Sequence, residues 1–163
     1  MPKLYMLVGL PASGKSTWVE NQKFDSKVCI VSTDKHIENY AKTLGKTYNE
    51  VFAEYYNIAK KLMDVEIASA VNDQKHIVWD QTNTSKASRV LKLKQIPDNY
   101  LKIALVFELP PEKEHNRRLK SREGKIIPQR IISQMKDGYE APDLLEGFDL
   151  IRCKKCVILK KRF

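Results

Sequence analysis

The sequence predicts an α/β fold with a mostly parallel sheet. Two observations carry this: short apolar strands alternate with helical patterns, and the first apolar run leads straight into a glycine-bounded loop. Leu4–Val8 is too apolar to face water on either side and is expected at the centre of the sheet. A second strand, Val28–Ser32, ends at Thr33-Asp34; a third, His76–Trp79, ends at Asp80. The fourth, Lys102–Phe107, ends at Glu108-Leu109-Pro110, and either Phe148–Cys153 or Lys155–Leu159 supplies a fifth. The longest helix is predicted over Tyr48–Val71. There Val51, Phe52, Tyr55, Tyr56, Ala59, Leu62, Met63, Ile67, Ala70 and Val71 recur at steps of three and four, which favours core over a base-stacking platform for the aromatic residues. Thr47-Tyr48-Asn49-Glu50 has the form of its capping box. Two further helices are expected to carry Pro111 and Pro128 at their first helical position, with Gly138 closing the second.

A length of 163 residues fits one domain spanning residues 1–163. The hydrophobic share, 42%, is enough for a packed core and argues against disorder. The longest apolar runs fall far short of the roughly 20 residues of a membrane span. The amino terminus lacks the layout of a secretory signal. Three cysteines, an odd number, do not make a disulfide framework, so a cytoplasmic setting is expected (the host cytoplasm for a viral protein). Cys153 and Cys156 have C-x-x-C spacing, but one such pair is half a zinc site and reads as ordinary strand thiols. His76 and His115 are isolated and read as structural or surface residues, and Trp18 as core. The net charge of +9 favours a polyanionic partner, meaning nucleic acid, a nucleotide or an anionic surface, with a lysine-rich soluble surface as the plain alternative; no membrane partner is expected. Much of the surplus lies in Arg117, Arg118, Lys120, Arg122 and Lys125.

The loop after the first strand reads Gly9-Leu10-Pro11-Ala12-Ser13-Gly14-Lys15-Ser16-Thr17, which fits G-x-x-x-x-G-K-[ST] between a strand and a helix. Glycines at both ends let successive N–H groups turn toward the β-phosphate of a nucleotide. Lys15 is expected to neutralise the β- and γ-phosphates, and the Ser16 hydroxyl to ligate Mg²⁺. No [NT]-K-x-D guanine reader is present, so phosphotransfer from ATP is favoured over a GTPase switch.

Ligands of open α/β sheets bind beyond the carboxyl ends of the strands. Asp34 and Asp80 both lie there. Asp34 is the candidate general base for an incoming hydroxyl, with a helix N-cap as its plain alternative. Asp80 reads as a residue behind the magnesium ligands, as a group that orients the acceptor, or as a turn residue. The stretch at about 117–127 reads as a basic lid, or as a solvated loop.

Together these residues resemble the polynucleotide 5′-hydroxyl kinase family, the P-loop kinases of bacteriophage and eukaryotic DNA and RNA end repair. The matching stretches are Gly9–Trp18, Ser32–Asp34, Asp80–Arg89, Arg118–Pro128 and Tyr139–Ile151, in family order over most of the chain. The resemblance implies a three-layer P-loop kinase fold, a central mostly parallel sheet flanked by helices, with a basic lid. It implies ATP as donor, Mg²⁺ as cofactor and the 5′-hydroxyl of DNA or RNA as acceptor. Gly9, Pro11, Ala12, Ser13, Gly14, Lys15, Ser16 and Thr17 then hold the nucleotide, with Arg122 and Arg118 as its lid arginines. Asp34, Asp80, Thr82, Asn83 and Arg89 belong to the acceptor side. The family's phage enzymes carry an arginine three residues after the base, where this chain has Ile37, with Lys35 and His36 expected to point elsewhere. That departure keeps a second acceptor class in play: a hydroxymethylated base, a nucleoside or another small alcohol. A non-catalytic nucleotide-binding module that grips nucleic acid is a further alternative. No phosphatase motif is present.

Overall fold

Alternate residues of the first strand divide between two cores, as the two-residue period of a strand requires. In β1 (Lys3–Val8), Leu4, Met6 and Val8 enter one cluster, while Tyr5 and Leu7 enter another on the opposite face. The computed structural model describes residues 1–153 and 158–160. The chain continues through α1 (Lys15–Asn21), β2 (Val28–Val31), α2 (Thr33–Thr43), α3 (Tyr48–Asn72), β3 (His76–Trp79), α4 (Lys86–Leu93) and β4 (Leu101–Val106). Then come α5 (Glu112–Lys120), α6 (Gln129–Asp137), a 3-10 turn at Leu144–Glu146, β5 (Leu150–Cys153) and β6 (Ile158–Lys160).

The strands form one sheet in the order β2-β3-β1-β4-β5-β6. The first five run parallel, and β6 is antiparallel to β5. This is the expected three-layer P-loop kinase fold with β1 inside the sheet. One face is covered by α3, whose Met63, Ile67 and Ala70 meet Leu4, Val31, Ile77 and Trp79. On the other, Trp18 and Val19 of α1 pack with Leu7, Val78 and Phe107. Ile37 and Ala41 of α2 join Val51 and Ala59 of α3 in a third cluster. Among the described residues no helix is long and apolar enough to cross a membrane.

The capping box of α3 forms as expected: the Thr47 hydroxyl accepts from the Glu50 N–H and the Glu50 carboxylate accepts from the Thr47 N–H. Not every aromatic residue of that helix is core, however. Tyr40 stacks on Tyr55 across α2 and α3, but Phe52 and Tyr56 stay 40% exposed because α2 covers only part of the helix surface. Pro111 and Pro128 sit one residue earlier than expected, in the cap position with extended ψ values of 146° and 139°. Either site suits a residue without an N–H. Gly138 does close α6, at an ordinary φ of −90°. For the fifth strand the choice falls on Leu150–Cys153 beside β4; the rival span overlaps β6, and its residues 155–157, including Cys156, lie outside the described residues.

Candidate active site

Strain and restraint shape the Gly9–Thr17 loop together. Ala12 and Gly14 hold left-handed φ angles of 61° and 100°. A non-glycine residue there costs on the order of 1 kcal/mol and persists only where its surroundings enforce it. The enforcing partner is His115 of α5, whose Nε2 lies 2.9 Å from the carbonyl oxygen of Pro11, buried beneath the loop. His115 is thus a support for the loop, a role its isolation in the sequence did not reveal. The Gly9 N–H donates to the Thr82 carbonyl at 2.9 Å, tying the start of the loop to the segment after β3. A Cβ on Gly9 would come within 2.8 Å of both the Phe107 carbonyl oxygen and Ser13 Oγ. Gly9→Ala is therefore expected to destabilise the fold by roughly 1–3 kcal/mol, the range for an overpacked site, and to weaken nucleotide binding; melting and titration against the parent check it.

Lys15 turns its ammonium back onto the loop, donating to the carbonyls of Gly9 at 2.7 Å and Leu10 at 2.8 Å. Burial pulls its pKa down to about 8, against the pull of Asp80 and, more weakly, Asp34; Arg122 and Lys125 lower it further. Burial pushes the Asp80 carboxyl up, and Lys15 holds it back. Both carboxylates, the phosphate-loop lysine and the loop cations therefore share one electrostatic neighbourhood beyond the strand ends. Arg118 reaches over the loop: its Nη1 is 3.9 Å from where a Cβ on Gly14 would stand, while its Nε is held by Glu114. Ser13 Oγ is buried with no partner among the described residues. An orphaned hydroxyl, a glycine cradle and a buried ammonium suit an anionic ligand. Ser16 is exposed at the start of α1; a hydroxyl beside phosphates is the sparse protein contribution Mg²⁺ accepts.

Asp34 is not an N-cap. Ser32 occupies that position and Asp34 falls in the first turn of α2, which leaves its carboxylate half exposed for side-chain partners. The Tyr48 hydroxyl donates to Oδ1 at 2.7 Å and Lys125 Nζ donates to Oδ2 at 2.6 Å. Lys125 also bonds Glu38 at 2.7 Å and lies 4.2 Å from the centre of the Tyr48 ring. Burial would raise the Asp34 pKa, but the charge and hydrogen bond of Lys125, with the Tyr48 bond, carry it below the ordinary value. Burial and the Asp34 charge push the Tyr48 phenol up, so it remains a donor. Tyr48 and Glu38 were not sequence candidates, and Lys125 was only one of several lid cations. The capping box hid Tyr48, because the pattern explains the helix start without it.

Two acceptor-side expectations need correction. Arg89 is fully buried and cannot reach a ligand. Its Nε and Nη2 grip Glu146 at 2.7 Å each, and its remaining bonds go to the carbonyls of Asn83, Glu140 and Ala141. Asn83 is buried too, at a left-handed φ of 48°; its Nδ2 donates to the Leu7 carbonyl and its Oδ1 accepts from Lys92. Asn83 ties its segment to β1, and Arg89 ties the Asn83 carbonyl to Glu140, Ala141 and Glu146. Ile37 is buried between α2 and α3, Lys35 is exposed, and His36 pairs with Glu66 at 3.1 Å. No group of three or more potential metal ligands occurs among the described residues.

A parallel sheet whose first strand runs into a strained, glycine-bounded phosphate loop defines a P-loop domain of the kinase-like kind. Residues 4–142 match the AAA domain family AAA_33, and the chain belongs to that family. Among solved structures it is similar to a chain of the Pnkp1/Rnl/Hen1 complex, with a TM-score of 0.54 and 24% identity over 71% of this chain. That likeness is one of fold, and this chain spans 38% of the length of its neighbour.

Proposed function

We propose that this protein is a kinase that transfers the γ-phosphate of ATP to the 5′-hydroxyl of a DNA or RNA strand, with residues 117–127 as the lid of one domain, 1–163. The observation that carries the reading is Asp34: a carboxylate kept ionised and aimed by Lys125 and Tyr48, within the electrostatic reach of the phosphate-loop lysine. Gly9 to Thr17 cradle the donor phosphates, and Arg118 and Arg122 close over them. Ser16 is the residue that would hold Mg²⁺, which supplies charge neutralisation at the phosphates. Asp34 orients the acceptor hydroxyl and takes its proton as the new O–P bond forms; the bond from the γ-phosphorus to the bridging oxygen breaks, and ADP leaves. Asp80 stands beside Lys15 at the acceptor side, and Thr82 anchors Gly9.

Incubation with γ-labelled ATP and 5′-hydroxyl oligonucleotides tests the reading: label is expected on the 5′ end, and none across single strands, duplexes and overhangs overturns it. Ile37, standing where the family's phage enzymes carry an arginine, keeps the second acceptor class as the other reading, and labelled hydroxymethylated duplex or free nucleoside in place of the oligonucleotide is the result that would select it.

Lys15 sets a pH dependence. A bound polyphosphate favours the charged ammonium, so the complex keeps a proton that the free protein loses above about pH 8. Binding then takes up a proton, and affinity is expected to fall by about tenfold per pH unit above that value, while staying level below it. Titration calorimetry between neutral pH and the alkaline range reads this directly; an affinity that stays flat refutes it.

A further inference from the structure

Beside Asp34, the end of α2, the start of α3 and the α5–α6 loop line an open cleft of about 690 Å³. Its walls carry Lys42, Lys46, Arg122 and Lys125 against Glu38 and Glu123. Lys125 is neutralised by Asp34 and Glu38, whereas among the described residues Lys42, Lys46 and Arg122 have no carboxylate at ion-pair distance. The two lysines are exposed yet placed by backbone: the Lys46 N–H donates to the Ala41 carbonyl at 2.9 Å, and Gly45 makes the turn at a φ of 63°. A volume of this size suits a nucleotide-sized ligand, and the surplus of positive charge selects an anionic one. Ile37 is buried in the α2–α3 core, and the cation bonded to Asp34 among the described residues is Lys125, from the loop.

We propose that this cleft takes the backbone phosphates of the acceptor strand on the 3′ side of its terminal hydroxyl. Lys42 and Lys46 are their cations, and Lys125 exchanges Asp34 for the first of them. The exchange keeps Lys125 paired while freeing Oδ2 of Asp34 to accept the hydroxyl proton, so strand entry and base release are one event. This rests on the kinase reading above, and it makes a nucleic-acid strand a better acceptor than a small neutral alcohol.

The test separates the two. Anisotropy of a fluorescent 5′-hydroxyl single strand, recorded without ATP over a salt series, reads the cleft; label transfer from ATP reads the kinase. Lys42→Ala/Lys46→Ala is expected to weaken strand binding about tenfold or more and to lower the slope of log affinity against log salt by about 1.4, two phosphate contacts at roughly 0.7 each. Lys42→Arg/Lys46→Arg should restore both. Melting curves confirm that each variant folds. Unchanged affinity and slope in the alanine variant, or no strand binding by the parent, overturns the cleft. Binding that depends on these lysines in a protein that transfers no label to any acceptor overturns the kinase and leaves the cleft assigned.

Discussion

Replacing Asp34 by Asn is expected to lower kcat by about 10²- to 10⁴-fold, the span for loss of a positioned general base, while ATP affinity stays close to that of the parent. Asn keeps the shape and can still accept from Tyr48, but it removes the charge that pairs with Lys125 and that the proposed general base requires. The variant therefore separates orientation from proton acceptance. Single-turnover transfer at saturating ATP measures the first quantity and equilibrium titration of nucleotide the second. Turnover within about tenfold of the parent, well short of the usual contribution of a base, would remove Asp34 from that role. Loss of ATP binding instead would mean that Asp34 supports the phosphate loop through its charge on Lys15.

The second large effect is on stability. Glu146→Gln leaves the Arg89 guanidinium buried without its counter-charge, and breaking one partner of a buried pair costs about 3–5 kcal/mol. For a chain of this length that lowers the melting temperature by roughly 10 °C, at about 2–4 °C per kcal/mol. The same change loosens the Asp80–Asn83 segment, because Arg89 also holds the Asn83 carbonyl and the neighbouring Thr82 carbonyl holds Gly9. Arg89→Met/Glu146→Leu is expected to regain much of the loss, since apolar residues of similar volume often replace a buried ion pair at little cost. A Glu146→Gln protein melting within about 2 °C of the parent, under 1 kcal/mol at this size, would show that the guanidinium is not the support described.

These two variants mark where the sequence was legible. The strand-end position brought Asp34 forward and the family resemblance added Arg89, and both were assigned to the acceptor. Structure separates them: Asp34 stays half exposed beyond the end of β2, while Arg89, on the inner face of α4, is consumed by Glu146 and three carbonyls. A sequence gives the type of a side chain but not which way its helix faces. The portion Arg118–Ile151 is the most distinguishing part of the resemblance, and its stretch Tyr139–Ile151 carried no assigned role. Its Glu140 and Glu146 turn out to receive α4, through the Lys86 N–H and Arg89. His115 was illegible for a similar reason, since its partner is a main-chain carbonyl of Pro11 that any residue there would present.

Taken by itself, the sequence determined the strand–loop–helix unit at Gly9–Thr17, the strands on either side of it and the capped start of α3. These are written in neighbouring residues, through side-chain period, glycine placement and short-range hydrogen bonds. Tertiary structure alone decided which lysine meets Asp34, 91 positions away, and which carboxylate meets Arg89, 57 positions away. In a chain with 29 basic residues many such pairs satisfy charge equally well, and only the path of the crossovers over the sheet brings one of them to hydrogen-bonding distance.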